Sequence, residues 1–275
     1  MIKKTRNWLA ILLMALPLSV NAQKSFEVNI WPNGTPVSNG VKDDVAKMNV
    51  NLPADKANHG RAVLICPGGG YGGLAMDNEG TNWIDFFRNQ GIAAIVLTYR
   101  MPHGVKEVPI GDAEEAMRII RRHAKEWNIN PNDIGIMGSS AGGHLASTLS
   151  THSKADVRPN FQILFYPVIT MDKSYTHMGS HDNLLGKNAS ASMERLYSND
   201  LQVTPQTPPA FITVGSNDQL VPPMNSINYY TALLRNHVPA SMMVYNEGPH
   251  GYGSQRWFRY TLEMQLELKA WLASF

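Results

Sequence analysis

From residue 61 onward, short apolar runs alternate with helix patterns, and this alternation limits the fold more than any other feature of the chain. The runs cover 61–66, 92–99, 134–137, 161–166, 210–214 and 240–245. They are too continuously apolar for half-exposed strands, so they read as strands buried on both faces. Between them the spacing predicts helices over 81–90, 142–150, 225–237 and 255–273, and one more that starts at Asp112. Asp112 with Glu115 three residues later has the form of a capping box, with Asp in place of Ser or Thr. Ala113, Ala116, Met117, Ile120, Ala124 and Trp127 then fall on one helix face. The pattern predicts an α/β fold, a mostly parallel central sheet with helices on both faces. One further short strand is expected around 26–31. Residues 167–209 interrupt the rhythm and close on Thr204-Pro205-Gln206-Thr207-Pro208-Pro209, where proline stops helix and strand alike. That stretch is expected to be an irregular excursion over the sheet edge, a short lid or cleft wall.

The segment ahead of the alternating region has a different character. Lys3, Lys4 and Arg6 precede the apolar stretch Trp8–Leu18, and Val20-Asn21-Ala22 has the small-x-Ala form of a cleavage site. A helix over that stretch reaches about 16 Å, roughly half the hydrocarbon core of a bilayer. The expectation is a signal peptide over 1–22, a single catalytic domain over 23–275, and a periplasmic or secreted product. Position 23 is Gln, so no cysteine offers a lipid attachment point. With the leader's bases set aside the charges nearly cancel, and no basic run suggests nucleic acid. No membrane contact after cleavage and no obligate protein partner are implied. With 43% hydrophobic residues and 22 glycines, the composition is that of a globular protein. Cys66, the only cysteine, ends the run Ala62–Ile65 and reads as a small buried hydrophobe.

The sharpest chemical signal is Ile134-Gly135-Ile136-Met137-Gly138-Ser139-Ser140-Ala141-Gly142-Gly143-His144, a strand running through Gly-x-Ser-x-Gly into a helix. This context suits a nucleophile elbow: the turn is too tight for side chains two positions either side of Ser140, hence Gly138 and Gly142. A serine needs a base, and the base an orienting acid, in chain order serine, acid, histidine. His250, in Gly248-Pro249-His250-Gly251-Tyr252-Gly253, follows the run 240–245 and precedes the last helix, where the base belongs. Asp218 follows the run 210–214 and is the candidate acid; Glu247 is a rival through its nearness to His250, with Asp182 and Asp200 weaker. His144 reads as structural. His177 and His181 have i, i+4 spacing but no third ligand, so no metal is expected, and no cofactor.

Pro67-Gly68-Gly69-Gly70-Tyr71-Gly72-Gly73 follows the run 61–66 and matches Gly-x-Gly-x-x-Gly. A dinucleotide site would need a helix at the third glycine and an acid ending the next strand; the helix starts near Thr81, and Thr98-Tyr99-Arg100 stands at that end. Arg100 could suit a 2′-phosphate. The better reading is a loop whose backbone amides, with that of Ala141, face an oxyanion.

These motifs together resemble the exported bacterial acetylxylan esterase-like branch of the α/β-hydrolase superfamily, kin to hormone-sensitive-lipase-type esterases and prolyl-oligopeptidase catalytic domains. The likeness covers about 60–272 and rests on Pro67–Tyr71, Asn78-Glu79-Gly80, Gly138–Ser147, Asn183-Leu184-Leu185-Gly186, Val221–Ser226 and Gly248–Gly253. Pro67 replaces the histidine of the lipase-type His-Gly-Gly-Gly, and Asn217 stands where the branch often has a second acid. The resemblance implies an α/β-hydrolase fold and a serine esterase with Ser140, Asp218 and His250 as triad and Gly69, Gly70 and Ala141 as oxyanion hole. It implies removal of acetyl groups from xylan or xylo-oligosaccharides. Tyr71, Glu79 and Asn225 are candidate substrate contacts. A feruloyl or other small-ester esterase, and a prolyl-oligopeptidase-like peptidase, stay open as alternatives.

Overall fold

The computed structural model describes residues 23–55 and 57–275, so the expected leader over 1–22 lies outside the described residues. Strand β3 (Ala62–Cys66) shows how the apolar runs are used. Its side chains alternate between two separate cores: Ala62, Leu64 and Cys66 enter one, Val63 and Ile65 the other. Period-two alternation with both faces apolar requires cover on both sides of the sheet. Helices α2 (Glu107–Arg122), α3 (Ser140–His152) and α6 (Met224–Arg235) cover the first face. Helices α1 (Ile84–Arg88) and α7 (Thr261–Leu272) cover the second.

Eight strands form one sheet in the order β1-β2-β4-β3-β5-β6-β7-β8. Strands β4 (Ala93–Thr98), β5 (Ile134–Ser139), β6 (Phe161–Phe165), β7 (Ala210–Gly215) and β8 (Ala240–Tyr245) run parallel with β3. Strands β1 (Lys24–Asn29) and β2 (Lys47–Leu52) pair antiparallel, and β2 pairs antiparallel with β4. The fold is therefore the mostly parallel, helix-flanked sheet that the alternation predicts. None of the described helices is long and apolar enough to cross a membrane.

Three local expectations need correction. Strand β2 was not foreseen, because Asn49 and Asn51 separate its apolar side chains; Met48, Val50 and Leu52 nevertheless line the first core. Helix α2 starts at Glu107, not at Asp112. Pro109 lies in its first turn, where a backbone N–H has no intrahelical partner to lose. Asp112 is thus no cap but a fully buried carboxylate, which accepts hydrogen bonds from Arg100 Nη2 (2.6 Å), from the Arg100 backbone (2.9 Å) and from Trp31 Nε1 (2.7 Å). The stretch 167–209 holds two short helices, α4 (Met178–Leu185) and α5 (Ala191–Leu196). His177 and Ser190 cap them by accepting from Ser180 N and Met193 N. The prolines bracket the excursion without entering these helices.

Candidate active site

Ser140 sits at the junction of β5 and α3 with φ of 53°, in the left-handed region. A non-glycine residue there costs on the order of 1–3 kcal/mol, tolerated because the turn is held on every side. A Cβ at Gly138 would stand 2.1 Å from Gly142 O, and one at Gly142 would stand 2.0 Å from Cys66 O. These approaches press the start of α3 against the end of β3, which places the nucleophile candidate beside the glycine loop. Gly68 touches it directly: a Cβ there would lie 2.8 Å from Ser140 Cβ.

The ends of β7 and β8 bring the other two groups. His250 Nε2 lies 2.8 Å from Ser140 Oγ, and His250 Nδ1 lies 2.7 Å from Asp218 Oδ2. A carboxylate can only accept, so Nδ1 carries the proton and Nε2 accepts from the serine hydroxyl. Asp218 is buried, and its other oxygen accepts from the amides of Leu220 (3.0 Å) and Val221 (2.9 Å), which fixes the carboxylate's plane. Glu247 is exposed and its carboxylate lies 3.8 Å from Arg259, so it takes no part in this chain of contacts.

The glycine loop is braced from beneath. Glu79, buried at 4% exposure, accepts from Gly68 N (2.7 Å) through one oxygen and from Tyr166 OH (2.9 Å) through the other. Burial pushes its pKa up, and these two donors oppose the rise. Gly69 and Gly70 have φ of 127° and 64°, and both residues reach the surface. Ala141 lies in the first turn of α3, where its amide has no intrahelical acceptor. The amides of Gly69 and Gly70 donate to no backbone carbonyl among the described residues.

The three candidate substrate contacts are turned inward. Glu79 is committed to the loop and to Tyr166. Tyr71, at 1% exposure, donates its hydroxyl to His144 Nδ1 (2.9 Å). Asn225, also at 1%, accepts from Ile169 N (3.0 Å) and Thr170 N (3.1 Å) and donates to the carbonyls of Tyr175 and Pro222. Their polar atoms are spent on holding loops, which assigns them positioning and not contact with a ligand. Arg100 is likewise engaged by Asp112, leaving nothing to receive a 2′-phosphate. His181 stands between Asp182 and Glu194, while His177 turns to Ser180. The thiol of Cys66 is fully buried and its pKa is raised by that burial.

Two positioning residues escaped the sequence. Tyr166 packs edge-on against the His250 ring at 4.8 Å between centroids and at the same time holds Glu79. Asn217 Oδ1 accepts from Gly248 N (2.8 Å), tying the loop of the acid to the loop of the histidine. A polar residue directly before Asp218 was the available signal for the second; Tyr166 gave none, since it ends a run read only as a strand.

With this sheet order and a serine raised on the turn after β5, the chain has the α/β-hydrolase fold. A family model described as BD-FAE matches residues 48–233, and the chain belongs to that family. It is 42% identical over 268 residues to an acetylxylan esterase of Xylanibacter ruminicola, covering 96% of this chain and 53% of that protein. It is 33% identical over 243 residues to endo-1,4-beta-xylanase B of Butyrivibrio fibrisolvens, covering 83% of this chain and 38% of that one. The chain thus spans about half the length, or less, of these two relatives. Among solved structures it is similar to the acetyl ester-xyloside bifunctional hydrolase of Caldicellulosiruptor lactoaceticus, with TM-score 0.84 and 31% identity, covering 90% of this chain and 96% of that one.

Proposed function

We propose that the chain is a serine esterase that removes acetyl groups from xylan or xylo-oligosaccharides through an acyl-enzyme intermediate. The observation that carries the reaction type is the continuous relay from Ser140 Oγ through His250 to Asp218, at 2.8 and 2.7 Å. Ser140 Oγ attacks the acetyl carbonyl while His250 Nε2 takes its proton, and the buried carboxylate of Asp218 stabilises the imidazolium. The amides of Gly69, Gly70 and Ala141 face the oxygen that becomes negative; one such donor is worth about 10²–10³ in rate. His250 then returns its proton to the leaving sugar oxygen; water next attacks the acetyl-enzyme while giving a proton to His250, which passes it to Ser140 Oγ as acetate leaves. The substrate is supported by the names of the relatives: an acetylxylan esterase, a xylanase and an acetyl ester-xyloside hydrolase. Export to the periplasm or beyond, after cleavage near Ala22, belongs to the same proposal and rests on the leader sequence.

The test is acetate and ferulate release from native acetylated, feruloylated xylan, with wild type and Ser140→Ala side by side. Acetate from the wild type alone is the expected result. Ferulate in its place keeps the mechanism and replaces the substrate, and near-native turnover by Ser140→Ala removes the nucleophile assignment.

A further inference from the structure

His177 stands at the N-cap of α4, half-buried, with a ring whose two nitrogens have unlike surroundings. Nδ1 lies 2.8 Å from Ser180 Oγ and accepts from Ser180 N at 3.3 Å. A backbone amide can only donate, so Nδ1 keeps its lone pair and the neutral ring carries its proton on Nε2. No hydrogen-bond partner meets that Nε2 among the described residues. The ring also lies against the glycine loop: its Cε1 is 3.3 Å from where a Cβ on Gly70 would sit. From the same helix, Asn183 Nδ2 donates to Gly70 O at 2.8 Å. Helix α4 therefore rests on the loop at two points; Cε1 and Nδ1 are the ring atoms nearest Gly70, and the unengaged Nε2–H lies just beyond them, over Gly179.

We infer that His177 is a substrate-binding residue whose Nε2–H donates to a free hydroxyl of the sugar that carries the acetyl group. The inference rests on the sugar-acetate reading of the site. Burial and the nearby His250 both hold the pKa of His177 below the usual histidine value. The ring thus stays a neutral donor while His250 becomes the imidazolium, and no second positive charge opposes that step. A donor here serves a leaving group with a hydroxyl next to the ester. It gains nothing from an aryl ester, which offers the same carbonyl and no hydroxyl.

Two variants separate donation from capping. His177→Asn keeps an acceptor for Ser180 N, since asparagine is a good N-cap, and removes the group at Nε2. His177→Gln places an amide N–H within reach of the Nε2 position. Measured on monoacetylated methyl xyloside and on 4-nitrophenyl acetate, His177→Asn should lose about 10-fold to 100-fold in kcat/KM on the sugar ester, chiefly through KM. On the aryl ester it should change less than about threefold, and His177→Gln should recover part of the sugar activity. An equal loss on both esters, or none on the sugar ester, overturns the role of His177 and leaves the sugar-acetate reading standing. A wild type that cleaves the aryl ester but no sugar acetate overturns both.

Discussion

Acid should weaken the protein through the buried imidazole of His144. His144 lies one turn into α3, fully buried, with Nε2–H donating to Tyr197 O (2.9 Å) and Nδ1 accepting from Tyr71 OH (2.9 Å). It joins the helix that carries Ser140 to the glycine loop on one side and to the excursion on the other. Burial lowers its pKa from 6.5 to about 4. Between those values the unfolded chain binds a proton that the native state refuses, so stability is present above about pH 6.5 and is lost as pH falls toward 4. The linkage gives a loss of about 2 kcal/mol by pH 5 and about 3 kcal/mol by pH 4, relative to pH 7. For a domain of this size the loss at pH 5 lowers Tm by about 4–8 °C. Other groups titrate over the same range, so the informative quantity is a difference between two proteins. Urea unfolding of wild type and His144→Gln at pH 7, 5 and 4 supplies it, because glutamine cannot titrate. The variant should start less stable at pH 7 and close the gap by about 3 kcal/mol at pH 4. Two stability curves that run parallel across this range would refute the assignment.

Ser140→Ala should lower kcat by about 10⁴–10⁶ and Asp218→Asn by about 10⁴, whereas Glu247→Ala should leave ester hydrolysis unchanged; steady-state kinetics on a soluble acetate decide between the two acids. Glu79→Ala leaves the buried Gly68 N–H and Tyr166 hydroxyl without partners, at about 1–3 kcal/mol each in thermal unfolding. Glu79→Gln can accept from Gly68 and donate to Tyr166, so it should lose far less. Gly142→Ala, with its Cβ driven onto the Cys66 carbonyl, should cost more than about 3 kcal/mol and is checked by the yield and Tm of soluble protein.

Much of this architecture could be read from residue order, and what could not has specific physical causes. Continuous apolar runs marked β3 to β7 because burial on both faces leaves few polar positions to blur them, whereas β8, the last strand of the sheet, has an apolar run without that burial: its side chains are only partly covered and Val244 is exposed. Strand β2 places Asn49, half-buried, and Asn51, buried, between its apolar side chains, and these asparagines hid it. The position of α2 was misjudged because a buried acid near a helix start looks like a cap; that Asp112 pairs with Arg100 is a tertiary fact with no local trace. Gly-x-Ser-x-Gly between strand and helix located the elbow, and the order serine, acid, histidine led to Asp218 and His250; the fold sets His250 within hydrogen-bond reach of Ser140, and Asp218 within reach of His250. Which way Tyr71, Glu79 and Asn225 face was beyond the sequence. A polar residue in a motif has the same letter whether it meets a ligand or braces a loop, and only packing distinguishes the two.

The three members of the relay come from the ends of β5, β7 and β8, and Ser140 and His250 are 110 residues apart in the chain. Those strands become neighbours only when β6 has slotted between β5 and β7 and the last parallel pair has closed. No local segment contains a working fraction of the site. Hydrolysis is therefore a late reporter of folding: during refolding, far-ultraviolet ellipticity returns as helices and early strand pairs form, and turnover returns only with the final long-range closure.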